Sequence, residues 1–487
     1  MNNQNQTKWK TADFTRVTLL FFAQAIFTIL LFVGAYALVD QRENLLSMFL
    51  EDTTLLSKCI YIFIAEILLS FIAFIYFYTD KRDFIKKTSN VIMIFLVLDL
   101  SFIVSFLVGN VNMYLRPYAL CAVLMLFLVN KRTAIFVNCF FSMTMMLFDL
   151  FVNYYLVTDF EVYTALLLNF ICGTLAVFIV DEEGSRLKVL AQGLLVSIPV
   201  VVSAVCLEFT RGFEELWKTV LFAGGSGLLS LMILTVVLPV FEYFFGILTN
   251  FRLGELTSHK SKLIKCLIER APGTFNHTLI VASLAEACSN AIGLNPLLAR
   301  ACAYYHDIGK IKNVDYFAEN QSGYNPHDEL SPELSTDIIR AHARDGADFI
   351  RKWHFPEVLA ETAEQHHGTL PIRFFYAKAL KFTDGDLDVE DYSYYGPKPK
   401  TKINAIIMIC DACEAKVRTV GNRTHENVDK AVKEIIEERM DLDQFTDCDI
   451  TFRELDIIRN SITNALAGVY HDRVKYPKLK KGKNNAN

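Results

Sequence analysis

Tyr304-Tyr305-His306-Asp307-Ile308-Gly309-Lys310 is the stretch on which the reading of this chain turns. It closes an apolar helical segment, Leu297–Tyr305, and sets an imidazole directly beside a carboxylate. Successive side chains leave a helix about 100° apart. Asp307 is thereby free to bridge two metal ions while His306 binds one. Outward along the chain the same chemistry recurs in order: His277 before it, then His342, His366-His367 and Asp411 after it. Neutral imidazoles and carboxylates suit first-row divalent ions such as iron or manganese. Their separations put them on different helices that must converge. A lone histidine is ordinarily a surface or core residue, and His259, His354, His425 and His471 read that way. The ordered set differs because Gln365-His366-His367-Gly368, a double histidine beside glycine at a helix end, has little purely structural reason to exist. Lys310, one turn past Asp307, and Arg418, two turns past Asp411, are candidates to neutralise a phosphate, weighed against plain surface cations.

The segments around this set read as helices: Thr278–Ala291, Ser335–Trp353, Val358–Gln365, Lys402–Val420, Val428–Met440 and Thr451–Tyr470. Leu263, Leu267 and Ile268 mark an apolar face that Pro272-Gly273 interrupts. Strand signals are almost absent, so the expected class is all-α. Lys398 and Lys400, flanked by prolines, form a loop that cannot be a helix interior. The eleven cysteines are scattered without paired spacing, which fits a reducing compartment rather than a disulfide framework. Cys410 and Cys413 have no second pair nearby to complete a zinc site. A net charge of −5 implies no nucleic-acid partner.

Before about residue 250 the composition changes. Apolar residues concentrate there in runs near the ~20 residues a membrane-spanning helix needs. Eight candidate spans are expected, at about 15–39, 56–78, 91–109, 116–129, 133–155, 162–180, 188–207 and 219–248, the fourth being short. With the N-terminus inside, the inner loops hold Lys8, Lys10, Lys81, Arg82, Lys86, Lys87, Lys131, Arg132, Arg186 and Lys188. The outer ones hold Arg42, Lys58, Arg116, Arg211 and Lys218. That bias favours a cytoplasmic N-terminus, and an even count then places the C-terminal half in the cytoplasm too. The first apolar run ends in Ala35-Tyr36-Ala37 but is longer than a signal-peptide core, so an uncleaved anchor is expected. Glu66, Asp99 and Asp149 fall inside spans, where ionisable groups face a bundle interior or a cavity. They read either as a sensing pocket for an ion or small ligand or as interhelical hydrogen-bonding groups. The expected organisation is a transmembrane domain over 1–250, a juxtamembrane linker helix over 251–271, the metal-bearing domain over 272–477 and a disordered basic tail over 478–487.

Further motifs accompany the histidines: Pro272-Gly273-Thr274-Phe275-Asn276-His277, Asn295-Pro296-Leu297-Leu298-Ala299-Arg300, Asn325-Pro326-His327-Asp328, Gly396-Pro397-Lys398-Pro399-Lys400-Thr401 and Asp411-Ala412-Cys413-Glu414-Ala415. On these the soluble half, about 252–477, resembles the HD-domain superfamily. More closely, it and the many-span half resemble the PgpH-type membrane HD hydrolases, which cleave cyclic di-AMP. The resemblance implies one metal held by His277, His306, Asp307 and Asp411, and a second held by Asp307, His342, His366 and His367. It implies two divalent ions, manganese or iron, and hydrolysis of the cyclic dinucleotide to linear pApA at a bacterial-type plasma membrane. Two departures stand out. Only about residues 40–55 occupy the place of the family's large extracellular domain. Gly368-Thr369-Leu370-Pro371 replaces the Gly-Tyr-Pro signature of the related class that cleaves cyclic di-GMP. The alternatives are a metal phosphohydrolase for another nucleotide, or a nucleotide-binding membrane sensor without turnover. The lipid bilayer is an expected partner, and a homo-oligomer is left open.

Overall fold

A computed structural model of the chain describes residues 11–40, 53–152, 159–181, 186–208, 216–382 and 386–469. The expected basic tail, His471 and most of the segment 40–55 lie outside the described residues. The chain divides into two compact units, Met1–Arg252 and Leu253–Asn487. Both are built of helices. Among the described residues the one β feature is an isolated bridge between Pro371 and Ser393.

The first unit contains α1 (Thr11–Asp40), α2 (Thr53–Asp80), α3 (Thr88–Gly109), α4 (Leu120–Leu128), α5 (Lys131–Val152), α6 (Asp159–Ile179), α7 (Arg186–Glu208) and α8 (Leu216–Phe245). Seven are long and apolar enough to cross a membrane; the eighth, α4, belongs to a shorter apolar run, Met113–Leu128. All nine residues of α4 are buried. A helix apolar on every side belongs in the centre of a bundle, and irregular backbone beside it is tolerated at membrane depth because protein surrounds it. The Arg132 guanidinium at the start of α5 lies 3.0 Å from Asp80 at the end of α2. The chain therefore returns, between α3 and α5, to the end of the bundle from which α3 set out. Arg16 near the start of α1 donates to the Lys86 carbonyl at 2.8 Å, placing it at that same end.

Two devices hold this bundle where apolar contact alone would not. Membrane helices associate through close backbone approach and buried polar pairs. A Cβ on Gly227 of α8 would lie 2.2 Å from the Gly193 carbonyl oxygen of α7, so only glycine admits this crossing. Ser197 Oγ accepts from the Gly227 amide at 2.8 Å at the same spot. The second device is a buried ion pair: Arg116 donates through both terminal nitrogens to Asp149, at 2.7 and 2.8 Å. Asp149 is thus engaged by a bidentate guanidinium, which favours the interhelical-bonding reading for that residue over a ligand-sensing one.

The second unit begins within α9 (Asn250–Leu256) and continues through α10 (Lys262–Arg270), α11 (Pro272–Ala291), α12 (Pro296–Tyr305), α13 (Pro332–Lys352), α14 (Glu357–Gln365), α15 (Arg373–Ala379), α16 (Lys402–Thr419), α17 (His425–Asp441) and α18 (Phe452–Val469). The stretch read as one linker helix is two, α9 and α10, separated by a turn in which the Ser261 amide donates to Ser258. Pro272, expected to break a helix, opens one at its first position, where the missing amide proton costs nothing. Asn295 caps α12 by accepting from the Leu298 amide at 3.1 Å, and Thr401 caps α16 in the same way. α12 is the core helix of this unit. Ala299, Cys302, Ala303 and Tyr305 are fully buried on it, and it delivers His306 at its C-terminal end.

Candidate metal centre

The seven expected ligands come from five different helices, and all seven converge. His277 comes from the second turn of α11, His306 and Asp307 from the end of α12, His342 from the middle of α13, His366 and His367 from the end of α14, and Asp411 from the middle of α16. They form two groups that share Asp307. One is His277, His306, Asp307 and Asp411; the other is Asp307, His342, His366 and His367, with the donor atoms of each group within 4.8 Å of one another. Oδ2 of Asp307 faces the first group, 3.2 Å from His306 Nε2 and 3.6 Å from His277 Nε2. Oδ1 faces the second, 3.3 Å from His342 Nε2 and 3.6 Å from His366 Nε2.

The outer nitrogens fix which face each ring presents. Nδ1 of His306 bonds the Ala303 carbonyl at 2.6 Å, and Nδ1 of His366 bonds Ala363 at 2.7 Å. His342 uses the Ile339 carbonyl in the same way. Nδ1 of His277 bonds Glu414 at 2.6 Å. A carbonyl can only accept, so in His306, His342 and His366 Nδ1 carries the proton and Nε2 keeps its lone pair for the interior. Orientation of a metal-binding imidazole by such a partner is the usual arrangement in metalloproteins.

The resulting interior is unsatisfied without cations. His306 Nε2 and Asp307 Oδ1 are buried and have no hydrogen-bond partner. The bare Nε2 atoms of His342 and His366 face each other at 3.2 Å, where two lone pairs repel. Stranded buried acceptors are costly, and a pair of divalent ions is the group that resolves both defects. The donor set, five imidazoles and two carboxylates, fits first-row metals.

At Asp307, His366 and His367 the electrostatics point the same way. Burial alone would raise the Asp307 pKa, but Lys310 and His306 outweigh it and hold the carboxyl well below the usual range. Burial pushes His366 down to about 4, and burial together with His366 keeps His367 neutral as well. Burial also disfavours charge on His277, but its bonds to Asp411 and Glu414 prevail and push it up to about 10.

Local packing explains several sequence features. A Cβ on Gly309 would lie 2.0 Å from the His342 carbonyl oxygen, so the glycine of the His-Asp-Ile-Gly run lets α13 approach the bridging aspartate. The end of α14 is tied to the start of α16 by a buried network. Gln365 Oε1 accepts from Asn404 Nδ2 at 2.8 Å and from the Lys400 amide at 2.9 Å, and Asn404 accepts from Thr362 at 2.8 Å. That network sets the double histidine against Asp411.

A cleft of about 480 Å³ opens on the two groups and is lined in part by Lys310, Phe317, Tyr394 and Arg418. That size lies in the range of small-molecule sites. The Lys310 ammonium lies in the cleft but is already held 2.8 Å from Asp307 and 2.9 Å from Glu319. Arg418 is 41% exposed and donates to Glu414 at 2.6 Å, so it keeps most of its guanidinium edge for a ligand. Lys398, by contrast, reaches toward Thr446 at 3.5 Å. Sequence reasoning gave no role to Glu414, Glu319 or Tyr394. Glu414 stood in the quoted Asp411-Ala412-Cys413-Glu414 run, three residues past a ligand and so on the same helix face, which was the available signal. Tyr394 stacks on His367 with ring centroids 4.3 Å apart and is held there by its amide N–H, which donates to the Leu370 carbonyl at 3.0 Å. No spacing rule in the sequence foretells that contact. His259, His354 and His425 are exposed and outside both groups.

Comparison with known proteins agrees with both halves. Residues 56–249 match the family described as 7TM receptor with intracellular HD hydrolase, and residues 274–416 match the HD domain. The cyclic-di-AMP phosphodiesterase PgpH of Bacillus subtilis is 36% identical over 420 residues, 83% of this chain and 58% of the relative. PgpH of Listeria monocytogenes is 36% identical over 428 residues, 85% of this chain and 58% of the relative. The chain thus spans less than two thirds of the length of the curated relatives it matches. The crystal structure of the L. monocytogenes PgpH HD domain in complex with cyclic-di-AMP is 47% identical, with a TM-score of 0.42, over 44% of this chain and 99% of that one.

Proposed function

Because the chain belongs to the family of seven-transmembrane receptors with an intracellular HD hydrolase, we propose that it is a membrane-bound, metal-dependent phosphodiesterase that hydrolyses cyclic di-AMP to linear pApA. The observation that carries the reading is the pair of ligand groups sharing one buried carboxylate, Asp307. His277, His306, Asp307 and Asp411 would hold one divalent ion, and Asp307, His342, His366 and His367 the other, manganese or iron in each case. Bound there, such ions supply Lewis acidity and bring the ionisation of water to near-neutral pH.

The protein's own groups supply orientation and charge. Asp307 spans the two groups, and the pairing of Lys310 with Asp307 and Glu319 keeps its ammonium fixed at the cleft floor. Burial disfavours that ammonium's charge, but the two carboxylates overcome it and keep the lysine protonated well above the ordinary lysine range. A phosphate entering the cleft meets a fixed positive charge that needs no reorganisation. Arg418, more exposed, is suited to the second phosphate of a cyclic dinucleotide. Tyr394 packs against His367 and bounds the cleft on the side of the second group.

The catalytic unit is assigned to the cytoplasmic side of a plasma membrane. Support comes from the Lys and Arg bias of the loops and from the count of helices. The family named for seven spans matches 56–249, which contains six of the long helices and the shorter run Met113–Leu128. Counting that run gives seven, and α1 before them makes eight, the even number that returns the chain to its starting side. The Arg132–Asp80 contact supports counting it.

The test is product analysis of the full chain in nanodiscs with manganese, comparing cyclic di-AMP and cyclic di-GMP under matched conditions. Preferential conversion of cyclic di-AMP to pApA is expected. Comparable or faster turnover of cyclic di-GMP would refute the assignment.

A further inference from the structure

The membrane unit contains a second polar centre that the hydrolase chemistry does not use. Glu66 of α2 is 1% exposed, and it sits fourteen residues before Asp80, roughly 21 Å of helix rise from that end of the bundle. Thr144 of α5 lies 3.5 Å from its Oε1. Its other oxygen, Oε2, is buried with no hydrogen-bond partner. Glu66 lines a small cavity between α1, α2, α3 and α5, together with Gln24, Thr28, Ser70, Asp99 and Thr144. Asp99 of α3 accepts from Gln24 Nε2 at 2.7 Å. Ser70, one turn after Glu66, spends its hydroxyl proton on the Phe21 carbonyl at 2.9 Å, so its lone pairs remain as acceptors.

Carboxylates at this depth need a partner. Asp149 has one in Arg116. Among the described residues lining the Glu66 cavity there is no lysine, arginine or histidine. The polar atoms available are oxygens of carboxylate, hydroxyl and amide. Oxygen-only shells select hard cations, unlike the imidazole-rich set of the histidine site. The cavity offers about 20 Å³ for a water-sized centre, close to the least that holds a single water. An organic ligand or a hydrated magnesium ion is therefore too large.

We infer that this cavity binds one dehydrated alkali cation of sodium size, with Glu66 and Asp99 as its anionic ligands and the Thr28 and Thr144 hydroxyls as neutral ones. The site lies in the membrane unit and is independent of the metal centre in the other unit.

The experiment is equilibrium binding of radioactive sodium to the full chain in nanodiscs, in a choline background, with potassium as competitor. The metal centre is left intact in one sample and disabled by Asp307→Asn in another. One saturable sodium per chain is expected in both samples, with potassium a weaker competitor. Glu66→Gln and Asp99→Asn should each weaken it by at least about tenfold, since the number of charged ligands sets the affinity of such sites. Thr144→Val, which keeps both charges and nearly the same shape, should weaken it severalfold and serves if a carboxylate variant fails to fold. Absence of saturable uptake by the folded wild-type chain overturns the inference. So does uptake that Glu66→Gln and Thr144→Val leave unchanged. Infrared evidence that Glu66 carries a proton at saturating sodium would likewise show that a proton, not a cation, occupies the site.

Discussion

Glu414 is not one of the seven converging residues, yet it fixes the ring of one that is. Its carboxylate accepts from His277 Nδ1 while also receiving Arg418. Removing such a supporting group typically lowers metal affinity or activity by about 10–100-fold, so Glu414→Ala is expected to weaken the His277 metal within that range. Metal analysis after dialysis checks it, and retention of both ions at wild-type affinity would contradict it. Gly309→Ala should be as damaging although it removes no ligand, because the added methyl collides with the His342 carbonyl. The expected result is a fall in turnover and in occupancy of the second group, with helix content preserved. His354→Ala and His425→Ala, at exposed positions, should change neither. The seven converging residues were legible because metal chemistry restricts residue types so sharply that order along the chain is informative. The partners that orient them were not, since a backbone carbonyl three residues back, as at Ala303 or Ala363, leaves no mark on the sequence.

Helices in the membrane unit are held by a few contacts rather than by a hydrophobic drive, which lipid largely cancels. Gly227→Leu forces a side chain into the Gly193 backbone, and overpacking of this kind typically costs about 1–3 kcal/mol. The expected outcome is a lower unfolding midpoint for the full chain in nanodiscs, while Gly224→Leu, at an open position, leaves it nearly unchanged. The Arg116–Asp149 pair offers a sharper case. Breaking a buried pair from one side typically costs about 3–5 kcal/mol, whereas replacing both members with apolar groups is often close to neutral. Asp149→Leu alone should therefore destabilise strongly, and Arg116→Met with Asp149→Leu should recover most of the loss; no recovery would contradict the pairing. In the sequence Asp149 looked equivalent to Glu66 and Asp99. Its difference lies in an arginine 33 residues earlier, a long-range contact that hydropathy cannot register. The long helices were legible from apolar run length, whereas α15 was missed because seven residues with one buried phenylalanine carry too little periodicity.

The proposed topology places the helical unit that follows the polytopic unit on the cytoplasmic side. Reporter fusions after Asp40 and after Lys260 should fall on opposite sides of the membrane, and agreement between them would contradict the eight-span topology. The division between the units was legible as a change in composition near residue 250, and the contact boundary falls at Arg252. The short buried crossing at α4 was harder to read, because nine apolar residues fit a core helix as well as a membrane segment. In the proposed mechanism two metal ions share Asp307, and hydrolysis depends on that shared carboxylate. Asp307→Asn keeps the size of the side chain and removes the charge facing both ligand groups. The decisive measurement is metal content per chain, taken together with cyclic di-AMP turnover, for purified wild type and Asp307→Asn of equal helix content. Two ions and turnover are expected in the wild type, and loss of at least one ion and of turnover in the variant. Two bound ions and full activity in Asp307→Asn would contradict that mechanism.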